Sequence, residues 1–421
     1  MPSVFLYFHV HQPFRLGRFS IFHEHNENLR KQYFDRKLNE GYFKKAAEKC
    51  YLPTNKILLN NIRETKGKFK VSFSITGTFL EQCEQFEGGE EVLKSFKHLA
   101  STGCVEFLNE TYYHSLASLY GNRREFWEQV EQHSEKIKEV FGAKPKVFRN
   151  TEVIYNNTIA REAEENEYAG ILTEGIEHVL GWRSPNYVYR PKGCERIKVV
   201  LRNYKLSDDV GYRFSAKWWS EFPLTADKYV SWLKACNGQT INLFMDYETF
   251  GEHHWEGSGI FQFLEHFPKE AIKNGLDFLT ASETVERYDA VGEIDIPFNL
   301  SWADLERDVS AWLGNQLQWT CFKELEGMED KVKNTKNSEL RELWRLLQTS
   351  DHLYYLCTKS WADGDVHKHF SPHKDWGPYE NFINYMNAIQ DLKEEVEKAS
   401  KEGLERELVW KPQQETETGL R

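Results

Sequence analysis

The sequence predicts an α/β protein in which about seven parallel strands form a (β/α) barrel, followed by a helical C-terminal domain. Short apolar runs rich in β-branched residues recur between residues 4 and 245, and stretches of helical periodicity separate them. Repeated strand and helix units place parallel strands inside and helices outside. An open doubly wound sheet is the structural alternative. The predicted strands span residues 4–9, 70–75, 105–108, 146–149, 169–172, 198–201 and 241–245.

The first predicted strand, residues 4–9, runs into a polar segment with two histidines. His9 and His11 lie two residues apart, so their side chains point the same way if the extended backbone continues to Pro13. The pair could bind a metal ion, donate to a sugar hydroxyl or be satisfied within the core. The segment contains no aspartate that would complete a metal site.

Acidic residues accompany two of the later strands. Glu106 lies within the strand 105–108, where a charge is costly unless it faces the barrel mouth and is hydrogen-bonded. Glu152 comes just after the strand 146–149, which ends in Arg149. Because residues just past the C-terminal ends of barrel strands face the substrate, Glu152 is a candidate catalytic residue. Glu106 is a candidate for a functional or supporting role.

The last predicted strand leads into a dense cluster of acids, histidines and aromatic residues. Asp246 follows the strand directly, and Glu248, Glu252 and His253 come shortly after it. An isolated aspartate at this place often caps the next helix. The surrounding cluster and a possible partner in Glu152 favour catalysis instead, with His253 as a candidate substrate contact.

The pattern changes after about Pro297, where helical spacing with many charged residues begins. A loop between two of the helices contains His367, His369 and His373, and it is interpreted as a surface or lid loop in preference to a metal site. We expect helices over residues 305–327, 337–357 and 379–404, a barrel over 1–300, a helical domain over 301–411 that completes the site, and a frayed tail over 412–421.

Trp302, Asp304 and Asp308 lie where the helical region begins. One interpretation is a capped helix with acids in its first turn, which the helix dipole favours. The other is an aromatic platform with carboxylates that bind a sugar. The sequence leaves both interpretations open.

The composition excludes several function classes. A formal net charge of −11 without a basic cluster argues against a nucleic-acid partner. No glycine-rich phosphate-binding motif follows any predicted strand, so nucleotide binding has no support. The aromatic fraction of 14%, with 13 Trp and 20 Tyr, suits the apolar faces of sugar rings, although aromatic residues also fill cores.

Cysteine usage and the chain's start indicate a cytoplasmic protein. Seven cysteines without a C-x-x-C pair are typical of reduced thiols, and not of a disulfide frame or a zinc site. Three residues precede the first strand, which leaves no room for a signal peptide. No run of about twenty apolar residues predicts a membrane span.

Two carboxyl groups on different strands are what a retaining glycosidase needs. One acts as nucleophile and the other as acid and then base, about 5 to 5.5 Å apart. Glu152 and Asp246 meet this requirement topologically. Arg149 would lower the pKa of Glu152 and keep it ionised. The like charges of Glu248 and Glu252 would raise the pKa of Asp246, as a proton donor requires.

An ordered series of motifs resembles glycoside hydrolase family 57, the alpha-amylase-like group. The resemblance spans residues 1 to about 312, and the helical remainder is also compatible with it. Its motifs are His11-Gln12-Pro13, residues 103–106, residues 149–155 around Glu152, residues 244–251 around Asp246, and residues 302–312.

The resemblance implies a seven-stranded (β/α) barrel with a helical C-terminal domain. It also implies a retaining enzyme that acts on alpha-glucans or maltooligosaccharides without a metal or another cofactor. Glu152 corresponds to the nucleophile, and Asp246 to the acid and base. Substrate contacts are implied at His11, Glu106, Trp302, Asp304 and Asp308.

Three other activities stay open. A 4-alpha-glucanotransferase or branching enzyme would use the same covalent intermediate and pass the sugar to a hydroxyl instead of to water. A metal-dependent polysaccharide deacetylase would need an aspartate and two histidines, for which the barrel part offers only His9 and His11 without an H-x-x-x-H partner. A glucan-binding protein would need no catalysis.

Overall fold

A computed structural model describes residues 1–20, 22, 28–359 and 371–409 of the chain, with the backbone alone over residues 402–409. All seven strands predicted from the sequence are present, as β1 to β5, β7 and β8 in the numbering below, and three short strands were missed. The strands are β1 (Ser3–Val10), β2 (Val71–Ile75), β3 (Val105–Phe107), β4 (Val147–Phe148), β5 (Gly170–Glu174), β6 (Val188–Pro191), β7 (Lys198–Arg202), β8 (Thr240–Asp246), β9 (Phe278–Leu279) and β10 (Glu293–Ile294).

Helices connect these strands and continue after the last of them. Those between the strands are α1 (Leu29–Tyr33), α2 (Arg36–Ala46), α3 (Leu52–Glu64), α4 (Gly77–Gln85), α5 (Gly89–Ala100), α6 (Arg124–Phe141), α7 (Asn157–Glu165), α8 (Glu177–Leu180), α9 (Tyr204–Gly211), α10 (Ala226–Ala235), α11 (Ile260–Lys273) and α12 (Ala281–Arg287). After β10 come α13 (Ser310–Leu313), α14 (Gln316–Gly327), α15 (Glu329–Asn334), α16 (Ser338–Leu347), α17 (Ser350–Tyr354) and α18 (Pro378–Val409).

The parallel strands form one curled sheet with the helices outside. Strands β8, β1, β2 and β3 pair in that order, and β4, β5 and β7 pair in a second group. Asn109 joins the groups, since its N–H donates to Val147 O at 3.0 Å and its carbonyl accepts from Arg149 N at 2.9 Å. No ladder joins β7 to β8 in the described ranges, so the curled sheet is confirmed and a closed seven-stranded barrel is not.

The inside of the curled sheet contains an apolar layer that is separate from the main core. Ala281 and Val285 of α12 complete this layer. Helix α12 lies at the end where the strands begin, because Lys198, the first residue of β7, donates from Nζ to Val285 O at 2.8 Å. The sheet contributes Phe5, Tyr7, Leu108, Val147, Leu172, Val200 and Phe244, all fully buried.

The helices after β10 partly follow their predicted ranges. Helix α16 begins after the cap Asn337 and buries one face, as its apolar spacing dictates. The helix predicted over residues 305–327 is wrong at its start, because Arg307 has a left-handed φ of 53° that no α-helix contains and α13 begins only at Ser310. The proposed division at residue 300 stays a prediction, and the tail 412–421 lies outside the described residues.

Two composition-based expectations can be compared with the structure. The seven cysteines are all free. Among the helices of residues 1–359 and 371–409 that the structure describes, none has the length and apolarity needed to cross a bilayer.

Candidate active site

A polar layer lies directly above the apolar layer, at the ends of the strands. Side chains of an extended strand alternate between two faces, so the residue two positions after each apolar-layer residue faces the same interior. On six strands the residue after the last apolar-layer residue on this face is charged or titratable. Strand β2 contributes nothing to the apolar layer, and its Ser74 pairs in register with His9 and hydrogen-bonds Tyr7. The polar layer consists of His9, Ser74, Glu110, Arg149, Glu174, Arg202 and Asp246.

The charges of the polar layer alternate around the sheet. In the order β8, β1, β3, β4, β5, β7 the residues are acidic, basic, acidic, basic, acidic and basic. Buried charges are costly unless an opposite charge lies beside them, and this order gives each one such a neighbour. The pairs are His9 Nδ1 with Asp246 Oδ1 at 3.4 Å, His9 Nε2 with Glu110 Oε2 at 3.3 Å, Arg149 Nη1 with Glu110 Oε2 at 3.3 Å, and Arg202 Nη1 with Glu174 Oε2 at 3.0 Å.

Asp246 is the member of the polar layer most open to the cleft, with a side chain that is 44% exposed. Burial opposes its ionisation, but the hydrogen bond and charge of His9 outweigh burial, so the pKa of Asp246 lies below its ordinary 3.8. The prediction that Glu248 and Glu252 raise this pKa is wrong. Burial raises the pKa of Glu248 itself to about 7, so Glu248 is protonated at the low pH where Asp246 titrates, and Glu252 pairs with Lys45 at 2.6 Å.

Glu152 lies past β4 in a 3-10 turn, Thr151–Val153, and its side chain is 19% exposed. Burial raises its pKa from 4.5 to about 7, more than the charge of Arg149 lowers it. The prediction that Arg149 keeps Glu152 ionised is therefore wrong for the free protein. The charge of Asp246 also raises the pKa of Glu152, as expected for two carboxyl groups that share one cleft.

The backbone of Glu152 is left-handed, with a φ of 53°, which is uncommon outside glycine and typical of functional sites. Two residues hold it there. Ser301 Oγ donates to the carbonyl of Glu152 at 2.9 Å, and Trp302 Nε1 donates to its Oε2 at 2.8 Å. Arg149 lies against the ring of Trp302, with 5.2 Å from Cζ to the centroid. These contacts fix the direction in which the Glu152 carboxyl group points.

Three imidazole rings form a stack beside the two carboxyl groups. The rings of His9 and His114 lie 4.7 Å apart, and those of His11 and His114 lie 4.1 Å apart. Burial lowers the pKa values of His11 and His114, so both are neutral at pH 7. Burial and Arg149 also oppose a charge on His9, yet its acidic neighbours Glu110 and Asp246 raise its pKa to about 9.

Asp351 brings helix α17 of the C-terminal region to this stack. Its Oδ2 lies 2.9 Å from His11 Nε2, and His11 Nδ1 lies 3.0 Å from Thr76 Oγ1. His114 Nε2 lies 3.8 Å from Glu152 Oε1. A chain of contacts therefore runs from the C-terminal helices through the histidines to the carboxyl group of Glu152.

Two groups of three side chains have the residue types of a metal site, and neither is arranged for an ion. In His9, Glu110 and His114 the facing atoms lie 3.4, 3.3 and 3.3 Å from Arg149 Nη1, so the guanidinium occupies the place of a cation. In the other group the ring planes of His11 and His114 are within 28° of parallel. An ion shared by both rings would lie between them, about 2 Å out of each ring plane, which is the length of a Zn–N bond. The nitrogen lone pairs lie in the ring planes and would not point at it.

Some residues predicted for the site have other partners. Glu106 accepts from the backbone N–H of Ser282 at 2.8 Å, at the start of α12 and below the apolar layer. Asp304 pairs with Lys359 at 2.9 Å. Asp308 accepts from Ser310 N at 2.8 Å, but it precedes α13, whose first turn contains no acid, so the interpretation as a helix with acids in its first turn is wrong.

The other histidines named from the sequence, His253, His367, His369 and His373, lie outside the ring stack or outside the described residues. His253 is half-buried, and its charge contributes to the low pKa of Asp246. His373 is buried and lies 3.2 Å from the carbonyl of Leu16 through Nε2. His367 and His369 lie outside the described residues.

Sequence reasoning missed Glu110, His114 and Asp351. Glu110 comes shortly after the predicted strand 105–108, as Asp246 comes after the predicted strand 241–245, so the rule that selected Asp246 would also have selected Glu110. His114 comes four residues later in the same polar segment. Asp351 belongs to a helix whose pattern gives no sign that it reaches the barrel.

Comparisons with known proteins identify the family of this chain. The model of the family described as Glycosyl hydrolase family 57 matches residues 5–297. A protein from Methanocaldococcus jannaschii named "Putative alpha-amylase" is 47% identical over 397 residues, which cover 91% of this chain and 83% of that protein.

Solved structures show the same fold at low sequence identity. A 4-alpha-glucanotransferase from Thermococcus litoralis has a TM-score of 0.65 and 16% identity, over 91% of this chain and 60% of the other. A branching enzyme from Thermococcus kodakaraensis, in complex with glucose, has a TM-score of 0.65 and 15% identity, over 95% and 94%. The amylase AmyC from Thermotoga maritima has a TM-score of 0.57 and 15% identity, over 95% and 96%. With a family match over residues 5–297, the chain belongs to glycosyl hydrolase family 57.

Proposed function

We propose that this protein cleaves the alpha-1,4 bonds of alpha-glucans with retention of anomeric configuration. Glu152 is the nucleophile and Asp246 is the acid and base. The observation that carries the proposal is the pair itself. Two carboxyl groups at the ends of β4 and β8 open onto one polar layer, and the ring stack of His9 and His114 links them.

In the free protein the proton of the pair lies on the opposite residue from the one that donates it, so a double displacement requires a proton shift when the sugar binds. Between the low pKa of Asp246 and the pKa of Glu152, about 7, the pair holds one proton, mostly on Glu152. Cleavage needs that proton on Asp246. A sugar bound over the exposed Asp246 removes water from it, which raises its pKa and moves the proton toward the leaving oxygen. Glu152 is then ionised and attacks the anomeric carbon.

The second step frees Glu152 and returns a proton to Asp246. Asp246, now ionised, takes a proton from water as the water attacks the glycosyl-Glu152 ester, and the sugar leaves with its original configuration. A sugar hydroxyl in place of water would lengthen or branch a glucan. This transfer is the second candidate activity, and it is supported by the glucanotransferase and the branching enzyme among the similar structures.

Deacetylation and binding without catalysis have less support. A deacetylase would need an ion among His9, His11 and His114, where Arg149 and the stacking of the rings leave no suitable geometry. A binding protein would not need a carboxyl group that sits on a left-handed backbone and is held by an indole N–H.

Incubation with maltoheptaose separates the two candidate activities. Only shorter products, released with the alpha configuration by proton NMR, support hydrolysis with retention. Longer or branched products support transfer. Beta products, or acetate release from acetylated polysaccharide that a chelator abolishes, contradict the proposal.

Azide can assign the two roles. With Asp246→Ala, azide attacks the glycosyl-enzyme and gives an alpha-glycosyl azide. With Glu152→Ala, azide attacks the substrate directly and gives the beta anomer. The exposed Glu256, on the loop after Asp246, supplies the control Glu256→Gln, which should turn over like the wild type. Reversed anomers would exchange the roles, and full activity of Glu152→Gln would refute the proposal.

A further inference from the structure

Four charged side chains form a network behind Trp302 that the proposed reaction does not use. Glu174 Oε2 lies 3.0 Å from Arg202 Nη1 and 3.4 Å from Arg307 Nη1. Asp208 accepts from Arg202, and its other oxygen lies 3.4 Å from Arg307 Nη2. Each acid thus contacts both guanidinium groups. We call Glu174, Arg202, Asp208 and Arg307 the support network.

The support network contacts both the strand that carries Asp246 and the Trp302 side chain that holds Glu152. Arg202 Nε donates to the carbonyl of Phe244 at 2.9 Å, two residues before Asp246 on β8. Its Cζ lies 5.7 Å from the centroid of Trp302, while Arg149 faces the same indole at 5.2 Å. Arg307 donates to the carbonyl of Trp302. Both the ring and the backbone of Trp302 are therefore held by guanidinium groups.

Trp302 in turn holds Glu152, with its indole N–H on Oε2 at 2.8 Å. No regular secondary structure over residues 303–309 fixes the position of Trp302, since Asp304 and Arg307 have left-handed backbones. The side chain of Arg307 reaches back from this irregular segment to Trp302 and Glu174. The position of the indole therefore depends on side-chain contacts more than on a helix.

The burial of Glu174 indicates a role beyond stability. Its side chain is fully buried, and Arg202 is only 7% exposed. Buried ion pairs contribute little to stability compared with apolar residues of the same size, and their better-supported use is to fix one arrangement. The arrangement fixed here includes the indole that donates to Glu152.

We propose that the support network, with Glu174 at its centre, positions the indole N–H of Trp302 on Glu152 and ties it to the strand that carries Asp246. Its members are positioning residues, and their contribution to the reaction rests on the proposed function. Because the indole N–H favours the ionised carboxylate, a looser Trp302 leaves the shared proton more firmly on Glu152. Less of the enzyme then has the proton on Asp246.

The test compares Glu174→Gln, Trp302→Phe and the double variant by carbon-13 NMR titration of labelled glutamate. The signal of residue 152 is assigned from its absence in Glu152→Gln. We expect Glu174→Gln to raise the pKa of Glu152 by about 0.5, Trp302→Phe to raise it at least as much, and the double variant to add nothing further. An unchanged pKa in Glu174→Gln, or full additivity, overturns the proposal.

Turnover gives a second measurement with its own signature. At about pH 5.5, a rise of about 0.5 in the pKa of Glu152 lowers kcat/KM about threefold, because each whole pKa unit is a factor of ten. At about pH 9 the pair has lost its proton in both enzymes, so kcat/KM is unchanged. Glu125 provides a matched control, since it is also fully buried and paired, with Arg345 at 2.7 Å. Glu125→Gln should lower kcat/KM equally at both pH values or not at all.

A purely structural role for Glu174 predicts that its variant behaves like Glu125→Gln. Should Glu174→Gln fail to fold, Asp208→Asn tests the same network at a position that is 21% exposed, with the same expected pKa rise. The NMR titration does not depend on turnover. If the wild type turns over no glucan, the proposed function fails, while the titration still decides whether the network acts on Glu152.

Discussion

The raised pKa of Glu152 makes the stability of this protein depend on pH through one side chain. A carboxyl group whose pKa rises from 4.5 to about 7 on folding binds its proton more tightly in the folded state. It therefore stabilises the fold at low pH, and this stabilisation is lost as the pH rises through about 7. Glu152→Gln keeps the size of the side chain and removes the titration.

The size of the effect follows from the two pKa values. With values of 4.5 and about 7, the proton on Glu152 stabilises the folded state by about 2.5 kcal/mol at about pH 5 and by almost nothing at about pH 8. We expect the difference in the free energy of unfolding between wild type and Glu152→Gln to change by about this amount between the two pH values. The variant gains in relative stability as the pH rises.

Urea denaturation of both proteins at a series of pH values measures this difference, because the other titrating groups are common to both and largely cancel. Glu256→Gln, at an exposed position, should run parallel to the wild type throughout. Parallel curves for Glu152→Gln and wild type would refute the reasoning, since they would mean that burial does not hold a proton on Glu152.

Two further predictions concern the pH dependence of turnover. The profile of kcat/KM against pH should be bell-shaped, because only the pair with one proton is active. The acid limb should lie below 3.8, from Asp246, and the basic limb near 7, from Glu152. A basic limb near 5 would contradict the raised pKa of Glu152. His9→Gln removes the positive charge beside Asp246 and should move the acid limb up by about one pH unit, measured with maltoheptaose, whereas an unmoved limb would show that His9 does not hold Asp246 ionised.

Much of the fold and part of the polar layer follow from alternation along the strands. The pattern Phe5, Tyr7, His9 on β1 and Phe244, Asp246 on β8 already gives an apolar residue below and a polar one above. The same alternation continues from Leu108 to Glu110 on β3. Glu106 faces the same interior as Glu110 but lies below the apolar layer. Alternation along a strand therefore predicts which residues face the interior, and it does not predict at which level along the strand the site lies.

The remaining features depend on contacts that no local pattern contains. Asp351 reaches His11 from a helix far along the chain, and Ser301 and Trp302 hold Glu152 from a segment without regular structure. The pKa values were predicted with the wrong direction because proximity in sequence ignores burial, which dominates Glu152, and ignores His9, which faces Asp246 from the neighbouring strand.

The identity of the nucleophile is tested most directly by trapping the covalent intermediate. A 5-fluoro-alpha-glucosyl fluoride forms its glycosyl-enzyme faster than water removes it, so the adduct can be digested and sequenced by mass spectrometry. Our account predicts one added sugar per chain, on the peptide that contains Glu152, and none in Glu152→Gln. An adduct on Asp246 or on another residue, or turnover of the fluoride with inversion and no adduct, would contradict it.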